Sequence, residues 1–237
     1  MNTTISHLKF KSGDLVLSGT LVTNETPCLG LIRISGGAHL PHWPNEWQTM
    51  LAAASIASLS FDYPGVGESE GVLGNTNLTT RILDSESALE LFIKETKLPL
   101  SNIILMGASM GGPVAISLAV KRAVGGLLLA VPAAYSEEAR SKNFGEAFSQ
   151  VIRRENGWVG SPDFKELEKY QGRTMLAYGT RDTVIPKGVI DAYTAIIQKK
   201  GKVLALDASH TFMREKSDEQ EAKDQFWREV VKWAQEF

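Results

Sequence analysis

One serine in this chain stands where a nucleophile would stand. Ser109 lies in Gly107-Ala108-Ser109-Met110-Gly111, directly after the apolar run Ile103–Met106 and just before a helical pattern over Pro113–Val120. Gly-x-Ser-x-Gly between a strand and a helix implies a sharp reversal that lifts the hydroxyl clear of the sheet. The apex residue is strained there, and its neighbours two positions away must be small so that strand and helix can close together. The N–H of Met110 is then expected to face a developing oxyanion, beside a helix N-terminus that favours negative charge. The plainer reading is a glycine-rich turn with an incidental serine. The strand before it and the helix after it weigh against that.

A serine hydroxyl needs a base. The chain has four histidines: His7, His39, His42 and His210. His7 falls in the first strand. His210 falls in Ala205-Leu206-Asp207-Ala208-Ser209-His210-Thr211-Phe212, just past the last strand. A base in turn needs a carboxylate to fix its tautomer and stabilise the imidazolium. Asp182, on the loop after the seventh strand, ranks first and completes the order Ser109, Asp182, His210. Asp207 is nearer to His210 in sequence but fits a turn position equally well, and Glu137 and Glu138 are the outside alternatives.

The second oxyanion donor is expected from the loop after the third strand, Ser35-Gly36-Gly37-Ala38-His39-Leu40-Pro41-His42-Trp43. Gly37 is the first choice and Ala38 the next, because glycine lets backbone approach a ligand closely. His39 and His42 have no third metal ligand nearby, so no metal site is expected. Ala38, His39 and Trp43 are read instead as lining the pocket mouth. A second glycine cluster, Asp62-Tyr63-Pro64-Gly65-Val66-Gly67-Glu68-Ser69-Glu70-Gly71, imitates a dinucleotide fingerprint. It opens no helix, does not follow the first strand of a βαβ unit, and carries Glu68 and Glu70, which would repel a pyrophosphate. It reads as a structural turn.

The elements that must position these residues follow from the apolar pattern. Strands are expected at Ile5–Phe10, Leu15–Val22, Leu29–Ile34, Ser58–Phe61, Ile103–Met106, Gly126–Val131, Thr174–Tyr178 and Lys202–Leu206. Helices are expected at Trp47–Ala57, Leu78–Glu95, Pro113–Val120, Gly188–Lys199 and Asp218–Phe237, with a charged, helical stretch over Tyr135–Glu155. Alternation of short strands and helices implies an α/β fold: an eight-stranded, mostly parallel sheet with the second strand antiparallel, flanked by helices. Crossover connections place the functional loops at the carboxyl ends of the strands. Residues 1–237 read as a single domain with a small insertion at 132–171.

Composition narrows the function classes. Twenty-five basic against 27 acidic residues in 237 give a net charge of −2, so a general electrostatic hold on nucleic acid is not expected. Cys28 is the sole cysteine, which excludes an internal disulfide or a multi-cysteine metal site. The N-terminus does not read as a signal peptide, and the longest apolar stretch is too short to span a bilayer. A cytoplasmic location is the expectation.

Together, Ser35-Gly36-Gly37, Asp62-x-x-Gly65-x-Gly67-x-Ser69, Gly107-x-Ser109-x-Gly111 and Gly179-x-x-Asp182 with His210 resemble the α/β-hydrolase superfamily along nearly the whole chain. The resemblance is greatest to small bacterial serine esterases and acyl hydrolases with a short cap. It implies a small-molecule ester or thioester substrate, no cofactor, and a cap at 132–171 over the site. One departure stands out: many relatives carry His-Gly where this chain has Ser35-Gly36. Cleavage of carbon–carbon bonds by the same three residues, and a non-catalytic binder on the same fold, are the rival readings.

Overall fold

Eight strands, none longer than nine residues, pair edge to edge into one sheet in the computed structural model, which describes residues 2–37, 46–214 and 217–237. The strands are β1 (Thr4–Ser12), β2 (Leu15–Thr23), β3 (Leu29–Ile34), β4 (Ile56–Phe61), β5 (Ile103–Ala108), β6 (Gly126–Ala130), β7 (Arg173–Gly179) and β8 (Lys202–Leu206). Their order is β1-β2-β4-β3-β5-β6-β7-β8. β2 pairs antiparallel with both β1 and β4, and every pair from β4 to β8 is parallel. The sheet is the eight-stranded, mostly parallel one that the sequence implied, with β2 antiparallel to its neighbours. β4, β5 and β6 are buried at every position, as strands covered on both faces must be.

Two helical layers supply that cover. On one face lie α1 (Glu46–Ala53) and α8 (Gln220–Ala234), joined by Trp47 stacked on Trp227 at 5.0 Å. On the other lie α2 (Leu78–Thr96), α3 (Gly111–Arg122) and α7 (Lys187–Ile197). Segment 132–171 contributes α4 (Glu137–Arg140), α5 (Glu146–Ile152) and α6 (Pro162–Lys169). Leu167 of α6 is fully buried in the second layer's core. Arg140 of α4 ties the segment together through Asp163 at 2.5 Å and Glu166 at 3.2 Å.

Three expectations shift. The helix expected over Trp47–Ala57 stops at Ala53, and β4 starts at Ile56 rather than Ser58. Ser55 turns the chain there at φ +60°, with no glycine or proline to announce it. The stretch Tyr135–Glu155, expected to be helical, holds two short helices with a break between them. Helix α6 was not foreseen, although Ser161 caps it and Pro162 sits at its first turn, both ordinary start signals.

Helix α2 starts on a capping box, with Asn77 and Thr80 bonding each other's backbone N–H at 2.9 Å. Its buried face runs through Leu78, Arg81, Asp84, Ser85, Ala88, Leu89 and Phe92, and so includes two charged residues. Asp84 accepts from Ser12 Oγ at 2.5 Å, and its other oxygen is buried without a partner. Burial raises its pKa above the ordinary carboxylate value, against the pull of the Ser12 bond and Arg81. A raised folded-state pKa means that protonation favours the fold. The contribution is complete below the ordinary carboxylate value and is lost as pH rises through the raised one. The unfolding free energy of the native chain minus that of Asp84→Asn is therefore expected to grow as pH falls from neutrality. A difference flat with pH in urea titrations would count against a buried, charge-disfavoured Asp84.

Candidate active site

The site is assembled where three loops leave the carboxyl edge of the sheet. Ser109 follows β5 at φ +52°, the left-handed region that a serine rarely enters. The strain is held from both sides: Ser109 N–H donates to the Ala130 carbonyl at 3.0 Å, while its own carbonyl accepts from Gly112 at 2.9 Å and Ala133 at 3.0 Å. A Cβ on Gly107 would lie 2.7 Å from the Ala115 methyl, and one on Gly111 would lie 2.1 Å from the Ile34 carbonyl oxygen. The two glycines are thus fixed by close approach. Gly111→Ala is expected to cost about 1–3 kcal/mol, as an overpacked backbone contact. Urea unfolding that registers less than about 0.5 kcal/mol would contradict it, since that is the range of an inert surface change.

His210, on the loop after β8, points one ring nitrogen at each of the other two residues. Nε2 lies 3.2 Å from Ser109 Oγ, and Nδ1 lies 2.8 Å from Asp182 Oδ2. Asp182, on the loop after β7, is almost wholly buried, and its second oxygen accepts from the N–H groups of Val184 at 2.8 Å and Ile185 at 3.0 Å. The carboxylate therefore cannot rotate without breaking two backbone bonds.

The alternatives lie elsewhere. Asp207 is 87% exposed and pairs with Arg181 at 2.7 Å. Glu138 pairs with Arg154 on the surface, and Glu137 is exposed. Two residues that the sequence did not single out brace the histidine loop. Glu219 accepts from the Ser209 N–H at 2.8 Å and the Ser209 hydroxyl at 2.6 Å, and Arg181 reaches Glu219 at 3.0 Å. Arg181 thereby links the loop of Asp182 to the loop of His210.

The loop after β3 meets the elbow from the other side. A Cβ on Gly36 would lie 2.6 Å from the Ala108 carbonyl oxygen, 2.8 Å from the Met110 nitrogen and 2.9 Å from Ser109 Cβ. Gly37 stands in open space beside it. The Gly36 carbonyl accepts from Arg81 at 2.7 Å. Ala38, His39, His42 and Trp43 lie outside the described residues. Among the described residues, no three His, Cys, Asp or Glu side chains gather as metal ligands would.

The cluster at 62–71 folds as a tethered turn. Ser69 Oγ donates to the Asp62 carbonyl at 2.7 Å and accepts from the Ser18 N–H at 2.9 Å, while Glu70 accepts from the Val16 N–H at 2.8 Å. This anchors the turn to β2.

A family model for hydrolases, described as serine aminopeptidase S33, matches residues 33–159, more than half of the chain. The chain belongs to this family of α/β hydrolases. Among solved structures, this hydrolase is similar to Est1E from Butyrivibrio proteoclasticus, solved with ferulic acid bound. The TM-score is 0.74 at 17% identity, over 95% of this chain and 98% of that one. It is similar also to the Pyrococcus furiosus esterase Pf2001, with TM-score 0.69 and 17% identity over 99% and 93% of the two chains. The Pyrococcus horikoshii acylaminoacyl peptidase gives TM-score 0.78 at 12% identity, over 99% of this hydrolase and 42% of the peptidase. Likeness at such identities speaks for the fold, and a fold of this kind hosts many chemistries.

Proposed function

We propose that this hydrolase cleaves a small carboxylic ester or thioester through an acyl-enzyme on Ser109. The observation that carries the reading is the single imidazole spanning hydroxyl and carboxylate at 3.2 and 2.8 Å. Ser109 Oγ attacks the carbonyl carbon while His210 Nε2 takes its proton. Asp182 holds the Nδ1 proton, so Nε2 is the basic nitrogen, and the carboxylate stabilises the imidazolium. Negative charge on the carbonyl oxygen is met by the N–H groups of Met110 and Gly37. His210 then gives its proton to the departing alcohol or thiol. Water, deprotonated by the same nitrogen, releases the acid and restores Ser109. In this reading, segment 132–171 is a cap that sets substrate choice, and the chemistry uses no cofactor.

The family's description favours a second reading, hydrolysis of an aminoacyl amide. A buried cation behind Gly36 supports the ester instead, since Arg81 would repel a protonated α-amine bound beside the hole. The deciding experiment is one panel: p-nitrophenyl esters of rising acyl length, acyl-CoA thioesters, aminoacyl p-nitroanilides and vinylogous diketones. Ester or thioester turnover ahead of the others by at least tenfold in kcat/KM is expected. Preference for the anilides would make it a peptidase, and preference for the diketones a carbon–carbon hydrolase. Turnover of none would leave a binder.

A further inference from the structure

Arg81 is among the largest fully buried side chains of the protein, at 1% exposure. A guanidinium in such a place needs compensation, because its hydration is lost. Asp84, one turn along α2, attracts it electrostatically but makes its hydrogen bond to Ser12. Arg81 is held by other means. Its guanidinium carbon lies over the Tyr63 ring at 4.3 Å and over the Phe144 ring at 4.4 Å. Tyr63 is fixed by Ser85 at 2.7 Å, and Phe144 by an edge contact with Phe148 at 4.9 Å and by its N–H on the Thr76 carbonyl. From this slot Nη1 donates to the Gly36 carbonyl at 2.7 Å and lies 3.6 Å from Met110 Sδ. Nε is buried with no partner. The whole arrangement is thus directed at one carbonyl.

We infer that Arg81 is the positioning residue of the oxyanion hole, acting through the Gly36–Gly37 peptide; this rests on the reading of Ser109 as nucleophile and Gly37 as the second donor. The link is covalent geometry. The Gly36 carbonyl and the Gly37 N–H belong to one planar peptide unit, and no described peptide is cis. In a trans unit the two groups point in opposite directions, so fixing the oxygen fixes the N–H. Two adjacent glycines leave this unit free to rotate about its flanking bonds, which only an outside anchor prevents. A hydrogen bond from a cation also polarises the peptide and strengthens its N–H as a donor.

The side-chain type fits the task. A flat guanidinium can lie between two rings and still donate from its edge, which a lysine ammonium cannot do. Met110 couples the two halves of the hole. Its backbone N–H is the first donor, its sulfur touches Arg81, and its nitrogen lies 2.8 Å from where a Gly36 side chain would begin. One buried cation therefore sets the wall that both donors share.

The test compares Arg81→Met and Arg81→Lys with the native chain. Methionine keeps apolar bulk between Tyr63 and Phe144 and removes the donor; lysine keeps the charge without the plane. Three quantities are read: kcat and KM on the best p-nitrophenyl ester, the Ki of a trifluoromethyl ketone matched to its acyl group, and the melting temperature. The ketone forms an oxyanion on the nucleophile, and the matching methyl ketone serves as the ground-state control. Removing a whole oxyanion donor lowers kcat by about 10²–10³-fold, so loss of its anchor is expected to lower kcat by about 10–100-fold. KM and methyl ketone affinity should stay within about twofold, since uniform binding is untouched. The trifluoromethyl ketone Ki should rise by the same factor as kcat/KM falls, and Arg81→Lys should recover part of both.

A folded Arg81→Met with native kcat and native trifluoromethyl ketone affinity overturns the inference and leaves Arg81 as core filling. If Arg81→Met does not fold, Arg81→Lys decides: a parallel loss in kcat and ketone affinity supports the role, and native values in both overturn it. The native chain is assayed first. If it neither turns over an ester nor reacts with a fluorophosphonate, the hydrolase reading fails and this inference falls with it. If it does both and the variants match it, only the inference fails.

Discussion

Ser109→Ala is expected to lower kcat on an activated ester by about 10⁶-fold, the scale on which removal of a triad serine abolishes turnover. The fold should survive, because alanine at this position keeps the same backbone demand. That demand is measurable by itself. At φ +52° a residue with a Cβ is strained, whereas glycine is not. Ser109→Gly should therefore be as inactive as Ser109→Ala and more stable than it by about 1 kcal/mol, the usual cost of a left-handed non-glycine residue. Thermal unfolding of the two variants checks this. Equal stabilities would mean that the elbow relaxes when the hydroxyl is lost, and a fall in kcat of less than about tenfold would remove Ser109 from the chemistry.

The next largest effect is expected from Asp182→Asn, at about 10⁴-fold in kcat, as for the equivalent change in other triads. The hydrogen bonds here say why. Oδ1 is held by two backbone donors, Val184 and Ile185, so an amide at 182 must keep its oxygen there. Its NH2 then faces His210 Nδ1. The ring is forced to accept at Nδ1 and to carry its proton on Nε2, where it can no longer take one from Ser109. Asp207→Asn, on an exposed ion pair, is expected to change kcat by no more than about twofold. Comparable losses in the two variants would contradict the assignment of the orienting carboxylate.

The elbow and the loops of Asp182 and His210 could be read from the sequence because each rests on local constraints. Gly107 and Gly111 are demanded by contacts of under 3 Å, and the strand ends dictate which edge the loops occupy. Asp182 and Asp207 could not be separated by spacing, since nothing local says which carboxylate turns inward. Arg81 was hidden by the periodicity argument itself. The apolar pattern over Leu78–Glu95 takes in Ile82 and Leu83, yet Leu83 is 55% exposed and the buried face runs through Arg81 instead. The signal available was spacing: Arg81 lies three residues after Leu78 and seven before Ala88, on the same side of the helix as both. Only contacts from distant segments, Tyr63, Phe144 and Gly36, make an arginine tolerable there. Helix α6 escaped for a related reason. It carries few apolar residues, and it is fixed by an Arg140–Asp163 pair that reaches across the segment.

The central claim is that His210 turns Ser109, alone among the hydroxyls of this chain, into a nucleophile. Its most direct test is to incubate the native protein with a fluorophosphonate and locate the adduct by peptide mass spectrometry. The geometry predicts one adduct per chain, on the peptide containing Ser109, with activity lost in proportion, and none with His210→Ala over the same interval. An adduct on another residue, or ester hydrolysis that continues undiminished after Ser109 is fully modified, would contradict it.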